Sequence, residues 1–339
     1  MASGHESFEA SKALRETLLQ GRPEFEALVR RNYWEEGPVY LVGSGDSGLV
    51  GLAGAYALEA LVGWPVVVRT PVDFAAYAAT ALPRRSVVIA ISRRGEAQAI
   101  LDATQAARDR GAKVLALTAA PESPLAKAAD GIFLVRGSAA GASPTIDLLC
   151  RHAAMGYIGL VAARTLKRPS RQVEALEQEF EKLPAQVEWE LTQLENAAGM
   201  FASHLKDATE IRVLAGGFYR PVAMLWASQL SMNRPRRVIA IDPGEPNLPP
   251  GEGTVAYVFL SSSRSRVRAR LQECLGDARK SNGKLLALTD TNNRELADRV
   301  SMALLLPTAS ELVGSTLMLA VLQRVGMRID DRSGVGNRE

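Results

Sequence analysis

Short unbroken apolar runs alternate along this chain with longer stretches of helical periodicity. Val39-Tyr40-Leu41-Val42, Val66-Val67-Val68, Val87-Val88-Ile89-Ala90-Ile91, Val114-Leu115-Ala116-Leu117-Thr118 and Ile132-Phe133-Leu134-Val135 read as strands. A strand with one wet face would alternate polar and apolar residues; unbroken runs belong to strands covered on both faces. Between them, stretches 49–62 and 97–110 repeat apolar residues at helical spacing, and Gly111 suits the residue that closes a helix. Residues 7–33 are also helical, with a break at Gly21-Arg22-Pro23, and a further helical stretch opens at Asp73, which reads as its cap. Strand and helix in alternation predict an α/β chain with parallel sheets.

The second half repeats the order. Ile211-Arg212-Val213-Leu214 ends in Ala215-Gly216-Gly217, a helix follows near 220–232, and Val238-Ile239-Ala240-Ile241 is the next strand. Tyr257-Val258-Phe259-Leu260 ends in a serine-rich loop, and Lys284-Leu285-Leu286-Ala287-Leu288-Thr289 nearly copies Lys113 to Thr118. Matched landmarks stand about 170 residues apart throughout, which points to a duplicated unit. Between the halves lies a helical region, 145–207, with breaks expected at Lys167-Arg168-Pro169-Ser170 and near Pro184. The two domains are therefore drawn as 1–175 and 176–339.

Composition narrows the class. With 47% apolar and 23% charged residues the chain is that of a folded globular protein, and a net charge of +3 gives no basic footprint for nucleic acid. Gly, Pro or charge interrupts the apolar stretches before they reach the ~18 residues a membrane span needs. The start, Met1-Ala2-Ser3-Gly4-His5-Glu6, is too polar for a signal peptide, and Cys150 and Cys274 make no disulfide framework, so a reducing, cytoplasmic setting is expected.

Ligands of open parallel sheets bind beyond the carboxyl ends of the strands, where helix N-termini attract anions. Two loops there carry hydroxyls and glycine. In Ser44-Gly45-Asp46-Ser47-Gly48 the two serines can donate to an oxyanion, unless Asp46 or Ser47 merely caps the next helix. In Ser92-Arg93-Arg94-Gly95-Glu96 the arginines can add charge-assisted bonds to phosphate, unless they are simply solvated. Gly43 to Gly48 also spells GxGxxG, but the next strand ends in Arg69-Thr70-Pro71-Val72-Asp73 with no acid at its tip, so a dinucleotide site is the lesser reading.

The order strand, Ser-Gly-Asp-Ser, helix, then Ala90-Ile91-Ser92-Arg93-Arg94-Gly95-Glu96-Ala97, then Ala116-Leu117-Thr118, resembles the SIS (sugar isomerase) domain. The doubled layout is similar to the isomerase half of glucosamine-6-phosphate synthase and related phosphosugar isomerases, deaminases and deglycases. The resemblance implies two tandem SIS-type, flavodoxin-like, three-layer αβα domains. It implies that Ser44, Asp46, Ser47, Ser92, Arg93, Arg94 and Gly95 hold phosphate and sugar hydroxyls. Ser143, in Gly141-Ala142-Ser143-Pro144-Thr145, would line the same pocket. It implies a phosphorylated sugar or amino sugar as ligand, no cofactor and no metal, no nucleic-acid or membrane partner, and a homodimer.

The departures bear on activity. The family's glutamate on the helix after Gly-x-Gly has no counterpart in Ser228-Gln229-Leu230-Ser231-Met232-Asn233, its ring-opening histidine none in Pro246 to Gly251, and no lysine follows Lys284. Moving a proton between adjacent sugar carbons needs a base. Glu96 and Glu245 are the catalytic candidates, with Glu252 near the latter, and His5, His152 and His204 lie in contexts that suit packing or solvent. Two readings follow: an aldose–ketose isomerase or amino-sugar-phosphate deaminase or deglycase, and a sugar-phosphate sensor that has lost the catalytic groups.

Overall fold

A computed structural model describes residues 2–31, 34, 38–83, 85–136, 143–166, 171–232, 236–245 and 253–330. The chain divides into two compact units, Phe8–Ala185 and Met1–Ser7 with Gln186–Glu339. The first begins within α1 (Ala2–Leu14) at Phe8, continues through a π turn and α2 (Arg22–Arg30), then runs β1 (Val39–Val42), α3 (Asp46–Val62), β2 (Val66–Arg69), α4 (Pro71–Asp73, continued as a π turn), β3 (Val87–Ile91), α5 (Gln98–Asp109), β4 (Lys113–Thr118), α6 (Pro124–Ala128), β5 (Gly131–Leu134) and α7 (Pro144–Thr165). Its five strands are all parallel, in the order β2-β1-β3-β4-β5. Every residue of β3 is buried, as its unbroken apolar run predicts, whereas the edge strand β2 is half-buried and ends on an exposed Arg69.

Helix α3 packs closely on α7 because small residues meet there. A Cβ on Gly54 would lie 2.1 Å from Met155 Cε, and one on Gly159 would lie 3.0 Å from Ala57 Cβ. Helix α7 is buried along almost its whole length, and α13 (Glu311–Asp330) of the other unit is nearly as enclosed. Both are apolar and long enough to cross a bilayer by composition, yet they serve here as core helices.

The second unit contains α9 (Glu195–Leu205), β6 (Glu210–Leu214), α10 (Arg220–Met232), β7 (Arg237–Ile241), β8 (Val255–Leu260), α11 (Arg268–Arg279), β9 (Lys284–Asp290), α12 (Arg294–Ala297), β10 (Met302–Leu306) and α13 (Glu311–Asp330). Its parallel sheet has the order β10-β9-β8-β6-β7, which is the first sheet's order strand for strand.

The linker differs from expectation. Helix α8 (Arg171–Gln193) carries Pro184 in its interior, so no break occurs there, and the division drawn at 175/176 falls inside this helix. Arg22 bridges Glu26 and, in a short contact, Glu177, while Arg164 lies 2.9 Å from Glu177, which ties the start of α8 to α2 and α7. These pairs are partly solvated and hold register more than they stabilise.

Candidate functional site

The order β2-β1-β3 reverses direction at β1, the kind of switch point where a crevice opens beyond the strand ends. A cleft of about 620 Å³ lies there, within the range usual for small-molecule sites. Its polar lining comes from both loops: Ser44 and Ser47 after β1, and Ser92, Arg93, Arg94 and Glu96 after β3. Pro71, Ile91 and Ile100 supply apolar wall.

The glycine spacing of the first loop is explained by the turn from strand to helix. Gly45 stands at φ +53°, and a Cβ on Gly43 would sit 2.8 Å from the Ser47 carbonyl carbon. A Cβ on Gly48 would meet Gly43 O at 2.9 Å. GxGxxG is therefore consumed by backbone packing and needs no nucleotide to account for it. Neither Asp46 nor Ser47 is the cap of α3: that position is held by Gly45, which has no side chain with which to cap. At α4 the cap is Thr70, whose hydroxyl accepts from Asp73 N at 3.2 Å, so the capping role expected of Asp73 belongs to its neighbour three residues earlier.

The second loop is fastened from within. Ser92 Oγ accepts from Gly95 N at 3.1 Å, Arg93 O accepts from Thr118 Oγ1 at 3.0 Å and Ala119 N at 3.1 Å, and Gly95 O accepts from Leu125 N at 3.0 Å. Gly95, at φ +64°, is buried against Ser123. Such a loop presents its side chains without reordering. Arg94 projects into solvent with its Nε 3.8 Å from Glu96 Oε2, and both side chains are exposed.

Sequence reasoning missed a charge chain beneath the cleft. Asp147 and Arg151 stand one helical turn apart on α7, with side chains 0% and 5% exposed. Arg151 Nε donates to Asp147 Oδ2 at 2.8 Å, and Arg151 Nη1 donates to Ser47 Oγ at 3.0 Å. Arg93 Nε approaches the same Asp147 oxygen at 3.7 Å, so one carboxylate is shared by Arg93 of the second loop and by Arg151, which in turn reaches the first loop at Ser47. Burial pushes the Asp46 carboxyl above the ordinary range, opposed by the positive charge of Arg151, and its Oδ1 is buried with no hydrogen-bond partner among the described residues.

Of the remaining expected residues, Asp46 and Gly95 belong to the two loops but not to the cleft wall. Ser143 closes the N-terminus of α7, 2.5 Å from Thr145 Oγ1, also off the wall. Glu245 sits in the other unit, on an exposed turn in which its amide donates to Asp242 O at 3.0 Å. Glu252 and the stretch 246–251 lie outside the described residues. Cys150 and Cys274 are both free and buried, and no group of three or more His, Cys, Asp or Glu able to hold a metal occurs among the described residues.

Comparison with known proteins now adds to this geometry. Residues 32–146, which contain both loops, match the SIS domain. Over 299 residues it is 23% identical to a glutamine–fructose-6-phosphate aminotransferase (isomerizing) from Chlorobaculum tepidum, covering 86% of this chain and 48% of that one. The chain spans about half the length of the curated relatives it matches. Among solved structures, the C-terminal domain of glucosamine-fructose-6-phosphate aminotransferase from Francisella tularensis superposes with a TM-score of 0.83 at 19% identity, covering 96% of this chain and 94% of that one. A glucosamine-6-phosphate deaminase from Thermotoga maritima gives a TM-score of 0.66 at 15% identity, covering 96% and 95%. At these identities the superpositions establish a shared fold, which takes in both five-stranded sheets.

Proposed function

We propose that the cleft at the tips of β1 and β3 binds a phosphorylated sugar or amino sugar, and that the protein is a phosphosugar isomerase or an amino-sugar-phosphate deaminase or deglycase. The observation that carries this reading is the convergence of Ser44, Ser47, Ser92 and Arg93 on one cleft at the N-terminus of α3, with the exposed Arg94 beside them. Hydroxyl donors, a guanidinium and a helix dipole together suit a phosphate dianion. The likeness to glutamine–fructose-6-phosphate aminotransferases supports the class.

Isomerisation moves one proton between C1 and C2 while the carbonyl changes place, with no net redox change. Glu96 is the carboxylate on the cleft wall and is assigned as the carrier. Glu245, the other acid the sequence offers, belongs to the other unit and is not on this cleft.

Two measurements test the proposal. Fructose 6-phosphate or glucosamine 6-phosphate should raise Tm where unphosphorylated fructose does not, since a ligand of the native state stabilises it by mass action. In deuterated water, turnover should place deuterium at C2 or release ammonia, and Glu96→Gln should abolish it. No stabilisation by any phosphosugar would refute the binding reading. Turnover that survives Glu96→Gln would refute the assignment of Glu96 as the proton carrier.

One observation favours a second reading, a sensor without turnover: Glu96 is 66% exposed and faces Arg94 rather than an enclosed wall. Stabilisation by a phosphosugar without deuterium exchange or ammonia selects it.

A further inference from the structure

Burying Asp147 and Arg151 inside α7 gains the fold little. A buried ion pair roughly balances its own desolvation, and apolar residues of similar size would serve such a helix as well. The pair stands where the rest of α7 is packed core, and it meets the cleft through Ser47, bonded by Arg151, and through Arg93, which approaches Asp147.

The hydroxyl of Ser47 has one proton and two lone pairs. Arg151 has no acceptor, so its contact with Ser47 Oγ at 3.0 Å occupies a lone pair, and the Ser47 proton must point elsewhere. Ser47 Oγ has no other hydrogen-bond partner among the described residues, and Ser47 lines the cleft. Asp147 in turn fixes the guanidinium through Nε at 2.8 Å and is approached by Arg93 from the other loop.

We propose that Arg151 is a positioning residue: held by Asp147, it commits the Ser47 hydroxyl to donate into the cleft and so selects a ligand group made only of acceptors, a phosphate dianion. This rests on the phosphosugar reading above and adds to it how the site distinguishes a phosphate from a hydroxyl. Without Arg151 the Ser47 hydroxyl is free to rotate and to accept as readily as it donates.

The test is a double-mutant cycle read by calorimetric binding of inorganic phosphate and of fructose 6-phosphate to the full chain. Ser47→Ala and Arg151→Met should each weaken both probes about tenfold or more, the size of a hydrogen bond to a charged group. If Arg151 acts through Ser47, then Arg151→Met in the Ser47→Ala background should add less than about twofold, because interacting residues are not additive. Arg151→Lys, which restores a donor, should recover binding to within about fivefold of wild type, and Asp147→Asn should weaken it in the same direction as Arg151→Met. Thermal melts of each variant separate loss of fold from loss of binding, and if Arg151→Met does not fold, Asp147→Asn takes its place in the cycle with Ser47→Ala. Additive losses, or unchanged phosphate affinity in folded Arg151→Met, overturn the positioning role while leaving the phosphosugar reading intact. Wild-type protein that binds neither probe overturns both.

Discussion

Gly95→Ala measures how firmly the second cleft loop is held. The residue stands at φ +64°, where an alanine costs about 1–2 kcal/mol through its Cβ. Space adds to this. The new carbon would lie 2.3 Å from Ser123 Oγ, 2.8 Å from Ser123 Cβ and 3.0 Å from Leu125 Cβ. Ser123 cannot simply swing aside, since its hydroxyl caps α6 by accepting from Ala126 N at 3.3 Å. Overpacking of this kind costs about 1–3 kcal/mol, which brings the expected loss to about 2–5 kcal/mol. Gly63 offers the control: it is left-handed at φ 76°, ψ 23°, closes α3 in the same unit, and has no heavy atom within 4 Å of an added Cβ. Gly63→Ala should therefore cost only the backbone share, about 1–2 kcal/mol. Urea unfolding of both variants, followed by a probe in this unit and compared at equal m, reads the difference directly. Equal losses for the two variants would show that Ser123 and Leu125 yield freely, and that the loop is not the rigid platform its hydrogen bonds suggest.

Burial lowers the His152 imidazole to about 4 from an ordinary 6.5, so the unfolded chain takes up a proton before the native one does. The stability this residue contributes is present above pH 6.5 and is lost as pH falls toward 4, by about 3 kcal/mol in all. Urea midpoints between pH 7 and 4 should fall less steeply in His152→Leu, and an unchanged slope would contradict the burial. The Asp46 carboxyl is displaced upward by burial, which has the opposite sign: its proton is favoured in the native state, so stability is lost as pH rises from the ordinary carboxyl range through the native value. Asp46→Asn should raise Tm at pH 7 and tighten inorganic phosphate binding several-fold at the same pH, as one like charge leaves the cleft's edge. Weaker phosphate binding in that variant would mean that Asp46 holds the ligand instead.

The fold was legible where burial is total. β3 and β4 are continuous apolar runs, and the helices between strands announce themselves by spacing and by Gly111 at φ +76°. β10 escaped notice because Met302–Leu306 is a short, half-buried edge strand, whose apolar run stands close to that of the helix that follows. Pro184 misled because a proline inside a helix normally breaks it, and here α8 carries it unbroken. In the site, the two loops follow from their position after strands. Asp147 and Arg151 did not, since an acid and a base four residues apart look the same in sequence whether they sit on a wet surface or inside the core. The surrounding Leu148, Leu149, Ala153 and Ala154 are the signal that could have told them apart, because a helix apolar on every side has no surface on which to place the pair. Glu245 qualified by its acid and its loop alone, and neither property says which compact unit a residue belongs to.

Since β1 has β2 on one flank and β3 on the other, the Ser47 and Ser92 loops become neighbours only once a later stretch of polypeptide has threaded back alongside an earlier one. A nascent chain that has emerged only through β2 owns half of the pocket and none of its arginines, and the buried counter-ion on α7 arrives last of all. Affinity for a small anion is thus a property of the finished sheet, and its gain during refolding would serve as a clock for the final docking of that helix.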